Sequence, residues 1–162
     1  MLKISICPAV EEDAAAIARL NELCFGQSFP ESSVRKQLTS LIRRREETLL
    51  VAVYRGQMIG YIHARDDLRT YRAPHKTVLA LAVDKDFRRQ GVGRQLYEAV
   101  VNRAEREGCA AVSTQVGGSK AAQSFFGAMG LKERLNRKQY IYEFEDKYAY
   151  IKERLESNGK KD

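Results

Sequence analysis

A mixed α/β sandwich is the fold class that the sequence predicts, and three observations predict it. Hydrophobic spacing alternates between strand and helix periods in the order strand, two helices, three strands, helix, strand, helix, strand. One apolar stretch, "TVLALAV" from Thr77 to Val83, runs towards a glycine-bearing turn and then a helix, in "FRRQGVGRQL" from Phe87 to Leu96. A length of 162 residues with 44% hydrophobic content suffices for one sizeable core and falls short of two ordinary domains. Residues 1–162 are therefore expected to form one domain, with 146–162 a C-terminal helix and frayed tail.

The elements follow in order. Ile4 to Ile6 reads as a strand, and "VEEDAAAIARLNELCF" then sets Val10, Ala14, Ile17, Leu20 and Cys24 at helical spacing, with Glu11, Glu12 and Asp13 in the first turn, where the helix dipole favours acids. A second helix follows Pro30, with Val34, Leu38, Leu41 and Ile42 on one face. "TLLVAVYRGQMIGYIHAR" reads as two strands around a tight turn at Arg55, Gly56 and Gln57. Asp66 to Lys76 is a polar stretch, read as a loop. The unbroken apolar run of Thr77 to Val83 predicts a strand buried on both faces. After the glycines, a helix turns Val92, Leu96, Ala99, Val100 and Ala104 inward and stops at Gly108. "AAVSTQV" is a short strand, Ser119 to Gly130 a compact helix, and "KQYIYEF" a last strand.

Composition narrows the function. Cys7, Cys24 and Cys109 are an odd set without metal-ligand spacing, so reduced thiols are expected, with neither a disulfide framework nor a metal site. No apolar run reaches the roughly 20 residues of a membrane span, and the N-terminus lacks the layout of a secretion signal, so a cytoplasmic protein is expected. The net charge of +7 attracts anions. Its basic residues are spread over "LIRRREE", "DFRRQGVGR" and "LKERLNRK" rather than gathered in one tract, which does not favour nucleic acid as the partner.

Glycine weakens a helix interior by roughly 1 kcal/mol relative to alanine, so Gly91 and Gly93 at a helix start call for a reason. A strand that enters a glycine turn and then a helix leaves backbone N–H groups without intrahelical partners, and these can bind a phosphate with the help of the helix dipole. Close packing of strand on helix is the other reason such a turn can exist. Arg88, Arg89 and Arg94 add charge around it. A P-loop is excluded because Gly93 is followed by Arg94 and Gln95, and a dinucleotide fingerprint is excluded by Leu96.

"LALAVDKDFRRQGVGRQLYEAV" resembles the central motif of the GCN5-related N-acetyltransferase superfamily, Arg or Gln, two residues, Gly, one residue, Gly or Ala, with Arg88, Gly91 and Gly93 in place. "SKAAQSFFGAMGLKE" resembles the helix pattern Asn-x-x-Ala-x-x-Phe-Tyr-x-x-x-Gly-Phe, with Ala122, Phe125, Gly130 and Leu131 in register and Ser119 in place of asparagine. The resemblance implies an α+β fold with a mixed, mostly antiparallel central sheet flanked by helices on both faces. It implies acetyl-CoA as co-substrate, its pyrophosphate held by Arg88, Arg89, Gln90, Gly91, Val92, Gly93 and Arg94. Leu81, Ala82 and Val83 would meet the pantetheine arm, and Ser119, Ala122, Phe125 and Phe126 would complete the cofactor site.

The implied reaction is transfer of the acetyl group to a primary amine of a small cationic molecule. It needs a base for the ammonium proton and a backbone N–H for the developing oxyanion, expected within Leu81 to Val83. The family's thiolate-protonating tyrosine is matched here by Phe126, which has no proton to give. Tyr140 and Tyr142 are the replacements, or the thiolate leaves unaided. Candidate bases are His63, Asp66, Asp67, His75 and Glu22, and Glu22, Asp66 and Asp67 are candidate binders of a cationic acceptor. Protein N-termini and RNA-linked amines remain alternative acceptors, as does a sensor that binds acetyl-CoA with little turnover. Relatives often dimerise through their C-terminal strands, so a homodimer is an expectation from the resemblance.

Overall fold

The computed structural model of the protein describes residues 2–26, 28–134 and 140. The chain divides into two compact units, Met1–Leu131 and Lys132–Asp162. The first carries a five-stranded sheet in the order β1-β2-β3-β4-β5. Its strands are β1 (Ser5–Pro8), β2 (Glu47–Tyr54), β3 (Gln57–Arg69), β4 (Arg72–Val83) and β5 (Ala111–Thr114). Neighbours pair antiparallel except β4 and β5, which are parallel because α3 (Val92–Arg106) crosses between them.

Helices cover both faces, as expected. On one face α1 (Ala14–Phe25) and α2 (Glu31–Leu41) bury Ile17, Leu20, Val34 and Leu38 against Val51, Tyr61 and Ala82. On the other, α3 and α4 (Lys120–Ala128) bury Val92, Leu96, Val100 and Phe126 against Ile59, Ile62 and Val78. Tyr97 also turns inward, and its ring meets the edge of Phe126 at 6.1 Å between centroids. The β2–β3 turn closes with two residues, Arg55 and Gly56 at φ 49° and 78°, between the paired Tyr54 and Gln57. That left-handed pair is the conformation whose twist matches two antiparallel strands.

Three expectations are corrected. The polar stretch from Asp66 to Lys76 is not a loop: β3 runs on to Arg69, β4 begins at Arg72, and cross-strand pairs Asp66 with Lys76 and Asp67 with His75 join them. Charge complementarity across the ladder replaces the apolar alternation that would have announced a hairpin. Nor is β4 buried on both faces, because Leu79 is 49% exposed. Helix α1 starts only at Ala14, after a 3₁₀ turn at Glu11–Asp13, so Val10 stays exposed. No helix among the described residues is long and apolar enough to cross a membrane. The expected last strand, the tail helix and a dimer through C-terminal strands fall outside the described residues.

Candidate active site

The opening in the fold lies along β4. Parallel pairing with β5 covers His75 to Val78 only, fixed by a hydrogen bond from Thr114 Oγ1 to Val78 O at 3.1 Å. Beyond it β4 continues to Val83 on β3 alone. The register slips there, His63 opposing Ala80 and Ala64 opposing Val78, which makes Leu79 the extra residue of a bulge. The Asp84 amide donates to Ile59 O at 2.8 Å. Hydrogen-bonded pairs alternate along an antiparallel ladder, so Ala80 and Ala82 bond β3 while Leu81 and Val83 turn their backbone groups away from it. Val83 O accepts from Arg88 Nε at 3.0 Å and from Cys24 Sγ at 3.5 Å. Leu81 N–H, Leu81 C=O and Val83 N–H meet no partner among the described residues.

Past Val83 the chain is anchored before it turns. Buried Asp84 accepts from Asp86 N at 3.2 Å and from Arg19 Nη1 at 3.0 Å. Burial alone would raise its pKa, but the Asp86 amide and the Arg19 guanidinium more than offset this and hold it below the ordinary value of 3.8. Arg89 and Gly91 then take left-handed φ of 60° and 82°. Gln95 N donates to Gly91 O at 3.0 Å, the first bond of α3. The amides from Arg89 to Arg94 ahead of it have no acceptor among the described residues. They form a run of donors at the positive end of the α3 dipole.

The two glycines do different jobs. Gly91 supplies the left-handed turn. Gly93 supplies room: a Cβ there would stand 3.2 Å from Phe125 Cε2, so the ring of Phe125 packs over the first turn of α3. Arg88, though exposed, donates to Val83 O and, at 3.4 Å, to Cys24 Sγ, while Arg89 and Arg94 are also exposed at the turn, Arg94 lying 3.7 Å from Glu98. Ser119 caps α4, accepting from Ala122 N at 3.3 Å, and buried Phe126 packs edge-on to Phe125 at 5.1 Å.

His63 lies on the face covered by α1 and α2, beside the start of the bulge. Its Nε2 is 2.7 Å from Glu47 Oε2, and Arg65 Nε donates to Glu47 Oε1 at 2.6 Å. The Glu47 side chain is only 1% exposed. Two residues towards Gly60 on the same face, the Tyr61 hydroxyl donates to Asn21 Oδ1. Burial pushes the Tyr61 phenol well above its ordinary value, with the nearby Cys24 adding to the rise, so it stays protonated.

The acidic candidates are already paired. Asp67 binds Arg69 and Arg72, the latter also bonded to His75. On the opposite face Asp66 and Glu107 hold the ammonium of Lys76, whose side chain is fully buried. Asp66, Glu107 and Cys109 gather potential ligand atoms within 4.8 Å of one another, but Lys76 Nζ bonds both carboxylates and supplies the positive charge itself. Glu22 is exposed. Tyr140 is 87% exposed in the second unit, and Tyr142 lies outside the described residues. Sequence reasoning missed Glu47, Asp84 and the Tyr61–Asn21 pair.

The strand edge and the turn fall within a match to a known family. The model of the acetyltransferase (GNAT) family matches residues 14–131. The chain belongs to that family. Acetyl transfer is the activity for which the matched family is named. Among curated relatives, the [ribosomal protein bS18]-alanine N-acetyltransferase of Escherichia coli K12 is 35% identical over 65 residues, 40% of this chain and 44% of the relative. The same enzyme of Salmonella typhimurium LT2 is 34% identical over 65 residues. The matched region thus spans less than half of those relatives.

Solved structures share the fold over most of the chain. The aminoglycoside acetyltransferase meta-AAC0020 from an uncultured soil metagenomic sample has a TM-score of 0.73 at 23% identity, over 86% of this chain and 97% of its own. Aminoglycoside N-acetyltransferase AAC(6')-Iy, solved with CoA, has a TM-score of 0.76 at 18% identity, over 86% of this chain and 94% of its own. A Bacillus halodurans C-125 protein described as a transcriptional regulator reaches 0.76 at 19% identity, over 86% of this chain and 99% of its own.

Proposed function

We propose that the protein moves an acetyl group from acetyl-CoA to a primary amine of a small cationic molecule by direct attack. The observation that carries this is the free edge of β4 at Leu81 and Val83, leading into six consecutive amides, Arg89 to Arg94, without acceptors. A long thioester with a pyrophosphate fits both parts of that surface. Leu81 and Val83 pair with the amide groups of the pantetheine arm, and the Arg89–Arg94 amides, with Arg89 and Arg94 around them, hold the pyrophosphate. Bound acetyl-CoA supplies an activated thioester carbonyl.

The chain's own groups do the rest. The Leu81 N–H, unpaired and fixed in the strand, stabilises negative charge on the carbonyl oxygen. His63, near the bulge, takes the proton of the acceptor ammonium. Phe126 has no proton for the thiolate. Tyr140 and Tyr142 remain the candidate donors, and a thiol near pKa ~8.5 is acidic enough, and its thiolate a weak enough base, for the thiolate to depart unaided in water. Exposed Glu22 draws the cationic acceptor, while Asp66 and Asp67 act mainly on their own cations and contribute less than their number suggests.

A second acceptor, the N-terminal amine of a protein, is favoured by the 65-residue match to the bS18-alanine N-acetyltransferases. Release of free CoA thiol should be followed with polyamines, aminoglycosides and peptides beginning with alanine. Turnover with a small polyamine or aminoglycoside supports the main reading, and turnover with the peptides alone supports the second. Acetyl-CoA binding without thiol release for any amine would leave the sensor reading standing instead.

A further inference from the structure

Glu47 is a carboxylate at the start of an apolar strand, almost wholly removed from water, and acetyl-CoA binding gives it no task. Burying a carboxylate is costly unless both oxygens are satisfied, and a well-packed apolar residue is commonly at least as stable. Here β3 satisfies both. Arg65 is directly opposite Glu47 in the ladder, and His63 is opposite Leu49, hence diagonal to Glu47 on the same face. Arg65 alone would balance the charge. The other oxygen is spent on orienting an imidazole, at 2.7 Å from its Nε2.

We infer that Glu47 is a positioning residue that sets the orientation and tautomer of His63 for acetyl transfer, an inference that rests on the reading above. A carboxylate can only accept, so Nε2 of His63 carries the proton and its Nδ1 carries the lone pair. His63 remains 15% exposed, enough for solvent or a small amine to reach it. Across the ladder it faces the small side chain of Ala80, next to the Leu79 bulge and one residue from the free amide of Leu81.

The proton inventory closes. An N–H bond of the acceptor ammonium breaks and an Nδ1–H bond forms, giving a neutral amine and an imidazolium whose charge Glu47 balances. The amine nitrogen then bonds the acetyl carbon as the carbon–sulfur bond breaks with its electron pair on sulfur. The second nitrogen proton goes to the thiolate or to solvent, and His63 later returns its own to solvent.

The charged groups bonded in this cluster are Glu47 of β2 and Arg65 of β3. From α1, α2 and β4, no charged side chain among the described residues bonds His63; those elements bring Leu20, Val34, Leu38 and Ala80 to this face. Further along it, Asp67, Arg72 and His75 bind one another.

The test compares Glu47→Gln, His63→Ala and the double variant in the full chain, with acetyl-CoA and the best amine found for the wild type. For Glu47→Gln, kcat should fall by about tenfold or more. The amine KM and the acetyl-CoA affinity should stay within about twofold, and the acid limb of the pH–rate profile should move. The double variant should be no slower than His63→Ala, as expected for residues that act as a unit. Added imidazole should restore part of the His63→Ala rate.

Unchanged kcat in Glu47→Gln, or independent losses that multiply in the double variant, would overturn the inference while leaving acetyl transfer intact. No turnover by the wild type on any amine would overturn both. Should Glu47→Gln fail to fold, nitrogen-15 NMR of the wild-type histidines decides. A neutral His63 protonated at Nε2 is expected, and one protonated at Nδ1 overturns the inference.

Discussion

Gly91 lets the anion-binding role proposed for this turn be separated from the stability of the fold. Its φ of 82° and ψ of 2° are left-handed, and a Cβ there would meet nothing nearer than Gln95 Nε2 at 3.9 Å. Gly91→Ala therefore carries only the backbone cost, about 1–2 kcal/mol. For a domain of this size that lowers Tm by roughly 2–8 °C, at ~2–4 °C per kcal/mol. Gly91→Asp costs no more, because aspartate tolerates this conformation and is a favoured N-cap with its carboxylate at the positive end of α3.

Binding should move the other way. Taking a separation of ~6 Å and an effective dielectric of ~20, the carboxylate repels each phosphate charge by ~2.8 kcal/mol, about a hundredfold in Kd. Solvent screening at the exposed turn brings this nearer tenfold. The carboxylate also occupies the amides that the pyrophosphate needs. Calorimetric titration with acetyl-CoA, beside thermal unfolding of both variants, reads the two effects separately. Gly91→Asp should be at least as stable as Gly91→Ala and bind at least about tenfold more weakly than the wild type, the deficit shrinking as salt is added. Wild-type affinity in Gly91→Asp would refute the assignment of this turn to the pyrophosphate.

The remaining predictions concern what holds the site in place. Lys76→Met should destabilise by about 2 kcal/mol, below the 3–5 of a fully buried pair because Asp66 and Glu107 are partly exposed; urea unfolding measures it, and an unchanged midpoint contradicts the ion-pair account. Burial tends to raise the Glu107 pKa, but hydrogen bonds from Arg103 and Lys76 outweigh it and hold it below 4.5. With Asp84 also held below 3.8, the unfolded state binds more protons in acid, so the stability due to these groups is complete above about pH 4.5 and is lost as pH falls through their folded values. Glu107→Gln should flatten unfolding free energy against pH below 4.5, and an unaltered slope counts against it. Ser119→Ala removes the cap on Ala122 N and should cost about 1 kcal/mol by the same assay, with no change meaning that the cap is idle.

The parts of this fold that were legible in the sequence are those governed by local rules. Thr77 to Val83, the glycine turn and α3 follow from apolar periodicity and from what glycine permits. The Asp66–Lys76 hairpin was not legible because its partners attract by charge across two strands, a pattern that reads as a solvated loop until the pairing is known. Leu79 misled in the opposite sense. An apolar residue implied burial, but the pairing of β4 with β5 stops at Val78 and leaves Leu79 at the rim of the opening. For Glu47 a signal did exist. Counting back from a hairpin turn at Arg55 and Gly56 brings Glu47 to within one position of Arg65, and only a further one-residue shift puts it on the face of His63 and Arg65. The Ala52/Val53 bulge completes the register, and no local rule foretells it.

A site made of main chain, as proposed for this protein, asks little of sequence. The surfaces suited to the co-substrate, the Leu81 and Val83 edge and the Arg89–Arg94 amides, are main chain, and main chain is the same whatever side chain it carries. What the site asks of sequence is confined to a few places. Gly91 must turn left-handed, Gly93 must admit Phe125, and Asp84 must hold the start of the turn against Arg19. The fold itself is shared at 18–23% identity. Selectivity among amines then has to come from side chains on the opposite face of β3 and β4. His63 stands there with its proton-accepting nitrogen set by Glu47, so substitutions around this pair should change which amine is acetylated while leaving acetyl-CoA affinity nearly constant.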